Sequence, residues 1–190
     1  MNIDSPLREL GPVNIDALRD TILSLDESVW KENITRQEEF EVHRATESVV
    51  MVFVDLDQWP DIMVTQEPGW KYLSDIALPL MNDIITRCYQ PGGTVIRAMA
   101  AKLLAGQNIK KHWDKHPSFH CGHRIHVPIT TNPRVRFMID GQPYRFKIGE
   151  AYELNNQLVH SVMNKGNEDR VTFIFDYVPK EEIEKLSANG

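Results

Sequence analysis

RVRFMIDGQPYRFKIGEAYELNNQLVHSVMNKGNEDRVTFIFDYV (134–178) reads as a succession of short strands. The runs VRFMI, YRFKI, AYEL, HSVMN and VTFIFDYV are rich in β-branched and aromatic residues. Asp140-Gly141, Gly149 and the stretch from Asn164 to Asn167 break them with turn chemistry. Asp-Gly between two strand patterns, in RFMIDGQPYRF, is a hairpin signal. The same texture extends upstream, past Asn132-Pro133, through HRIHVPI and TVIRAMAAKL. It begins after Gln90-Pro91-Gly92-Gly93, a strong turn. Strands at this spacing argue for a β-sandwich or jelly roll over about residues 94–178.

Ahead of the β-region the pattern is helical. Residues 14–25 (NIDALRDTILSL) predict a helix, with Asn14 as N-cap, Asp16 in the first turn, and Ile15, Leu18, Ile22 and Leu25 facing a core. The run 48–54 (SVVMVFV) predicts a buried strand, and Trp59, Pro60 and Pro68 mark a loop. Residues 70–88 (WKYLSDIALPLMNDIITRC) predict a second helix that Pro79 would kink or split. With neither repeats nor an internal linker, residues 1–180 are expected to form one domain. It should be mainly β with flanking helices, ending in a polar tail, 181–190, that is a frayed helix or disordered.

The composition narrows the classes of function. A chain of 190 residues with 42% hydrophobic and 25% charged residues suits one soluble globular domain. The net charge is −6 and no Lys/Arg run stands out, so no nucleic-acid footprint is expected. Two cysteines, Cys88 and Cys121, are too few for a disulfide framework. The N-terminus MNIDSPLREL lacks a signal-peptide pattern and the longest apolar runs are too short to span a bilayer, so a cytoplasmic protein without membrane attachment is expected.

Five of the seven histidines fall in KHWDKHPSFHCGHRIH: His112, His116, His120, His123 and His126. One reading is a non-haem Fe(II) site, which takes two imidazoles and one carboxylate on one face of the metal. His112-Trp113-Asp114 supplies a His and an Asp two apart, so on an extended strand end both reach one ion. His160 supplies the second imidazole from a distant strand. Iron held this way binds a 2-oxo acid and leaves a position for O2. Ten residues beyond His160, Arg170 begins an apolar strand on which Arg170, Thr172 and Ile174 share one face and Val171, Phe173 and Phe175 the other. A guanidinium fork with a hydroxyl two residues on suits the distal carboxylate of 2-oxoglutarate. A second reading is zinc, with Cys121 and His120 or His123, although the spacing matches no common closed zinc motif. In a third, His116, His120 and His123, flanking Pro117 and Gly122, are loop residues exposed to solvent, and Arg170 is a surface arginine after Glu168-Asp169.

The segments KHWD (111–114), HCGHRIHVPI (120–129), GEAYELNNQLVHSVMN (149–164) and DRVTFIFDYV (169–178) resemble the aspartyl/asparaginyl β-hydroxylase superfamily, and within it look closer to bacterial proline hydroxylases. RQEEFEVHRATESVVMVF (36–53) is similar to that family's region ahead of the barrel. The resemblance implies a double-stranded β-helix, a cupin-like jelly roll, that uses Fe(II), 2-oxoglutarate and O2. By position, His112 and His160 match the iron-binding histidines and Arg170 the arginine that holds the distal carboxylate. Arg124 and His126 match an R-x-H pair that lines the co-substrate pocket. The better-known aspartyl/asparaginyl hydroxylases have glycine where this chain has Asp114, whereas the proline-hydroxylase-like members keep the carboxylate.

The expected activity is hydroxylation of a C–H bond, with a free amino acid or a peptidyl side chain as substrate. Trp113, Arg97, Asn155 and Asn156 are candidate substrate contacts, and no protein acid or base is required. The alternative is a cupin-like binding or sensor module that holds a metal or small acid without turnover. A jelly roll supports both; a carboxylate anchor at Arg170 and Thr172 is what a pure metal binder would not need.

Overall fold

The computed structural model describes residues 3–32 and 45–189. The described elements run β1 (Leu7–Pro12), α1 (Asp16–Ser24), α2 (Glu27–Trp30), β2 (Thr46–Val54), β3 (Val64–Gln66), α3 (Trp70–Cys88), β4 (Thr94–Leu103), β5 (Asn108–His112), α4 (Ser118–Cys121), β6 (His123–Pro128), β7 (Val135–Ile139), β8 (Gln142–Tyr144), β9 (Glu150–Leu154), β10 (His160–Asn164), β11 (Arg170–Val178) and α5 (Lys180–Asn189). Residues 36–44 of the N-terminal resemblance lie outside the described residues.

The strands form two antiparallel sheets: seven strands in the order β1-β9-β6-β11-β4-β2-β3, and four in the order β5-β10-β7-β8. This is the expected jelly roll with flanking helices. The 2-residue period of β11 decides what lies on each side. Val171, Phe173, Phe175 and Tyr177 face a core built with Leu18 and Ile22 of α1 and Leu73, Ala77 and Ile84 of α3. Arg170 and Ile174 face the other way, into a cavity. The helices thus cover one face of the large sheet and leave the opposite face for the site. Among the described residues no helix is long and apolar enough to cross a membrane.

Several local expectations hold and several need correction. The expected helix is present as α1 over Asp16–Ser24, but its N-cap is Ile15 rather than Asn14, whose Oδ1 accepts from the Asp16 amide at 3.0 Å. Asp140 (φ 49°) and Gly141 (φ 75°) turn the β7–β8 hairpin, where only a residue tolerating positive φ fits both places. Pro79 neither ends nor splits α3, which continues unbroken for 19 residues with Pro79 on its exposed side. YRFKI is not a full strand: β8 stops at Tyr144, because Phe146 turns in to stack between Phe137 (4.7 Å between centroids) and Tyr152 (4.5 Å). The polar tail is helical, as α5.

Candidate metal centre and its cavity

His112 closes β5 and His160 opens β10, and the antiparallel register pairs these two residues directly. Their ring centroids are 4.3 Å apart. Asp114 follows two residues beyond the strand, where its amide donates to Asn156 O (3.1 Å) and its carbonyl accepts from Gln157 Nε2 (3.3 Å). One ligand atom from each of His112, Asp114 and His160 lies within 4.8 Å of the others. No other such group of His, Cys, Asp or Glu occurs among the described residues.

The hydrogen bonds around the two imidazoles leave the donors a cation needs. His112 Nδ1 lies 2.8 Å from Lys110 O and His160 Nδ1 lies 2.9 Å from Leu158 O. A carbonyl only accepts, so Nδ1 carries the proton and Nε2 keeps its lone pair. Burial lowers the His160 pKa to about 4, which keeps that ring neutral. Asp114 Oδ2 accepts from Arg124 Nη1 at 2.8 Å, so one carboxylate oxygen is occupied and the other is available. Two neutral nitrogens and one oxygen suit Fe(II) and similar divalent ions, with coordination positions to spare.

These residues line a cavity of about 770 Å³, within the ordinary range for small-molecule sites, roughly 300–1,000 Å³. The register orders its large-sheet wall in rows. Arg97, Asp176 and Arg124 form the first, Met99, Ile174 and His126 the second, Ala101, Thr172 and Pro128 the third, and Leu103 with Arg170 the last. Arg170 is 5% exposed, and no carboxylate of the described residues pairs with it. Its guanidinium carbon lies 5.8 Å from the centroid of Phe137, and burial brings its pKa down to about 10. The Thr172 hydroxyl is buried with no partner among the described residues. A buried, unpaired guanidinium is costly unless a ligand completes it.

The residues singled out from sequence separate into three groups. His112, Asp114 and His160 come together. Arg170, Arg124, His126, Arg97 and Trp113 line the same cavity, with Trp113 at 48% exposure on its rim. Thr172 lies on the wall behind it. Asn155 and Asn156 are not on the lining: Asn155 Nδ2 donates to Ile3 O and Asn156 Nδ2 to Phe119 O. Arg124, expected at the co-substrate, is engaged by Asp114 and by Asp176 Oδ1 (3.3 Å). His123 is not a solvated loop residue: it is buried on β6 with Nδ1 bonded to Glu153, because β6 begins one residue after Gly122. Cys121 Sγ faces Pro117 O, and no zinc cluster forms around it among the described residues. Asp176, Ser118 and Phe119 were not singled out. Asp176 was reachable, since the period that grouped Arg170, Thr172 and Ile174 places it on the same face.

A model of the aspartyl/asparaginyl β-hydroxylase family matches residues 16–179. Among solved structures, the chain resembles a prolyl hydroxylase from Trichoplax adhaerens in complex with a hypoxia inducible factor peptide fragment. The TM-score is 0.58 at 11% identity, over 96% of this chain and 87% of that one. It also resembles the collagen prolyl hydroxylase of Paramecium Bursaria Chlorella virus-1 in complex with 2-oxoglutarate (TM-score 0.53, 10% identity, 93% and 97% covered). A third is an oxidoreductase of the 2-oxoglutarate–Fe(II) oxygenase family from Burkholderia pseudomallei (TM-score 0.53, 10% identity, 70% and 67% covered). At these identities the likeness is one of fold. No curated protein sequence matches the chain.

Proposed function

The chain belongs to the aspartyl/asparaginyl β-hydroxylase family, and from that premise we propose that it is an Fe(II)- and 2-oxoglutarate-dependent oxygenase that hydroxylates a C–H bond of a free amino acid or of an amino-acid side chain in a peptide. The observation that carries this reading is the meeting of two features in one cavity: three metal-competent donors, and a buried guanidinium with no carboxylate partner among the described residues. A dianionic 2-oxo acid answers both. His112 Nε2, His160 Nε2 and the free Asp114 oxygen would hold the metal, and Arg170 would hold the distal carboxylate, with the Thr172 hydroxyl behind it.

When bound, the metal with 2-oxoglutarate and O2 supplies the oxidation: 2-oxoglutarate and O2 become succinate and CO2 as one oxygen atom enters the substrate C–H bond. The protein's share is binding, orientation and exclusion of water. The apolar side chains Met99, Ile174, Phe137 and Val162 line the space around the donors and keep it dry. No side chain has to move a proton in this scheme, which accords with a cavity whose one lining carboxylate among the described residues, Asp114, is already committed.

The test is succinate release from 2-oxoglutarate, with Fe(II) and ascorbate, across free amino acids and across peptides containing Asp, Asn or Pro. Turnover stimulated by at least one substrate, and lost in His112→Ala and Asp114→Ala, is expected. Full coupled turnover in both variants would reject the assignment. An inert wild-type protein that still binds metal would favour a sensor module.

A further inference from the structure

Behind Asp114 lies a buried charged row that the proposed chemistry does not use. Asp176, 2% exposed, sits on β11 between Arg97 on β4 and Arg124 on β6. Its Oδ2 accepts from Arg97 Nη1 at 3.2 Å and its Oδ1 from Arg124 Nε at 3.3 Å. Arg124 Nη1 continues to Asp114 Oδ2, and Arg97 Nη2 donates to Ser118 Oγ at 2.6 Å. Both guanidiniums lie over the Phe119 ring, at 4.2 Å for Arg97 and 4.8 Å for Arg124. The four charged groups, two cationic and two anionic, sum to zero.

We propose that Asp176 is a positioning residue for the metal centre: by occupying Arg124 and Arg97 it lets Arg124 take one oxygen of Asp114 and leaves the other for the cation. This rests on the metal reading above. Without the Asp176 charge, two buried guanidiniums would share one carboxylate, and Arg124 would compete with the metal for both Asp114 oxygens. Removing Arg97 instead leaves two carboxylates to one guanidinium, so Asp114 is freer for the metal. The two substitutions therefore act in opposite directions, which no general loosening of the fold would produce.

The experiment is anaerobic Co(II) titration, followed by the visible d–d spectrum, of the wild type, Asp176→Asn, Arg97→Met and the double variant, with His160→Ala as control. Asp176→Asn should lose about 10–100-fold in Co(II) affinity with an altered spectrum. Arg97→Met should match or exceed the wild type, and the double variant should recover part of the loss. If Asp176→Asn fails to fold, the sign of the Arg97→Met effect decides. Wild-type affinity and spectrum in Asp176→Asn, weaker binding in Arg97→Met, or a double variant that binds no better than Asp176→Asn would overturn the proposal alone. Absence of Co(II) binding by the wild type, or binding indifferent to His160→Ala, would overturn the metal reading and this proposal with it.

Discussion

Arg170→Met should make the metal-free protein more stable while removing its response to 2-oxoglutarate. In the free protein Arg170 is charged, 5% exposed and without an anion among the described residues. Burial brings its pKa to about 10, more than two decades below an ordinary arginine, and at about 1.4 kcal/mol per decade the buried charge costs about 3 kcal/mol. The group is protonated in both the folded and unfolded states at pH 7, so the whole cost weighs on the folded state. The cost persists through neutral pH and eases as the pH rises past about 10, where the folded protein sheds the proton first. Methionine keeps an apolar stem against Phe137 and drops the charge. For a chain of this size about 3 kcal/mol is about 6–12 °C in Tm, an upper value because the side chain borders the cavity. In the wild type with Co(II), 2-oxoglutarate at about a hundred times its Kd should add about 2.7 kcal/mol; in Arg170→Met it should add nothing. Differential scanning fluorimetry with and without 2-oxoglutarate, backed by urea unfolding from pH 6 to 9, measures both. A variant less stable than the wild type, or one that keeps the 2-oxoglutarate shift, refutes the reasoning.

Two further expectations concern the scaffold. Pro79→Ala in α3 restores an amide that the Asp75 carbonyl lacks. The helix gain of about 3 kcal/mol, less up to about 1 kcal/mol for a looser unfolded chain, leaves about 2 kcal/mol of stabilisation by urea unfolding; a loss would mean that the ring packs usefully. Glu153 is 1% exposed and joins Arg8, His123 and Tyr89, away from the cavity. Glu153→Gln should cost about 3 kcal/mol with unchanged Co(II) affinity, and a weakened metal site would show that this cluster supports the centre after all.

How much could be read in advance depended on whether one side chain's meaning was local. Strands such as β2, β4, β7 and β11 announced themselves because β-branched runs and Asp140-Gly141 carry their own geometry, whereas the polar or short β1, β3 and β5 did not. His112 and Asp114 were legible because two residues apart on an extended strand end reach one side, and His160 and Arg170 because their order after that pair matches the resemblance, although they lie on strands of different sheets. What failed was relational. His123 looked like a loop residue, since only the β6–β9 pairing brings Glu153 to it. Arg124 was read as lining the co-substrate pocket and does line the cavity, but its ion pairs went unread, because its two carboxylates sit ten residues away on a loop and on another strand. Asn155 and Asn156 looked like contacts because polar residues near a site invite that reading, whereas both donate to backbone carbonyls.

β11 explains why such relations matter here. One strand carries Arg170 at its start and Asp176 six residues on, about 20 Å along an extended chain at ~3.4 Å per residue. Both lie on the cavity-side face of the sheet because six is even, Arg170 on the lining and Asp176 buried beneath Arg97 and Arg124. The continuous pairing of β11 with β4 over these residues holds that spacing rigid, and the one irregularity in the pairing falls between Asp176 and Tyr177, past the last inward charge. A slip of a single residue would send Arg170 or Asp176 into the apolar layer under α1 and α3, at the cost of burying a charge there. The strand therefore works as a fixed ruler between the Arg170 guanidinium and the carboxylate that occupies two guanidiniums. Asp114 is tied through Arg124 to the Asp176 end of the same wall that sets how far away Arg170 stands.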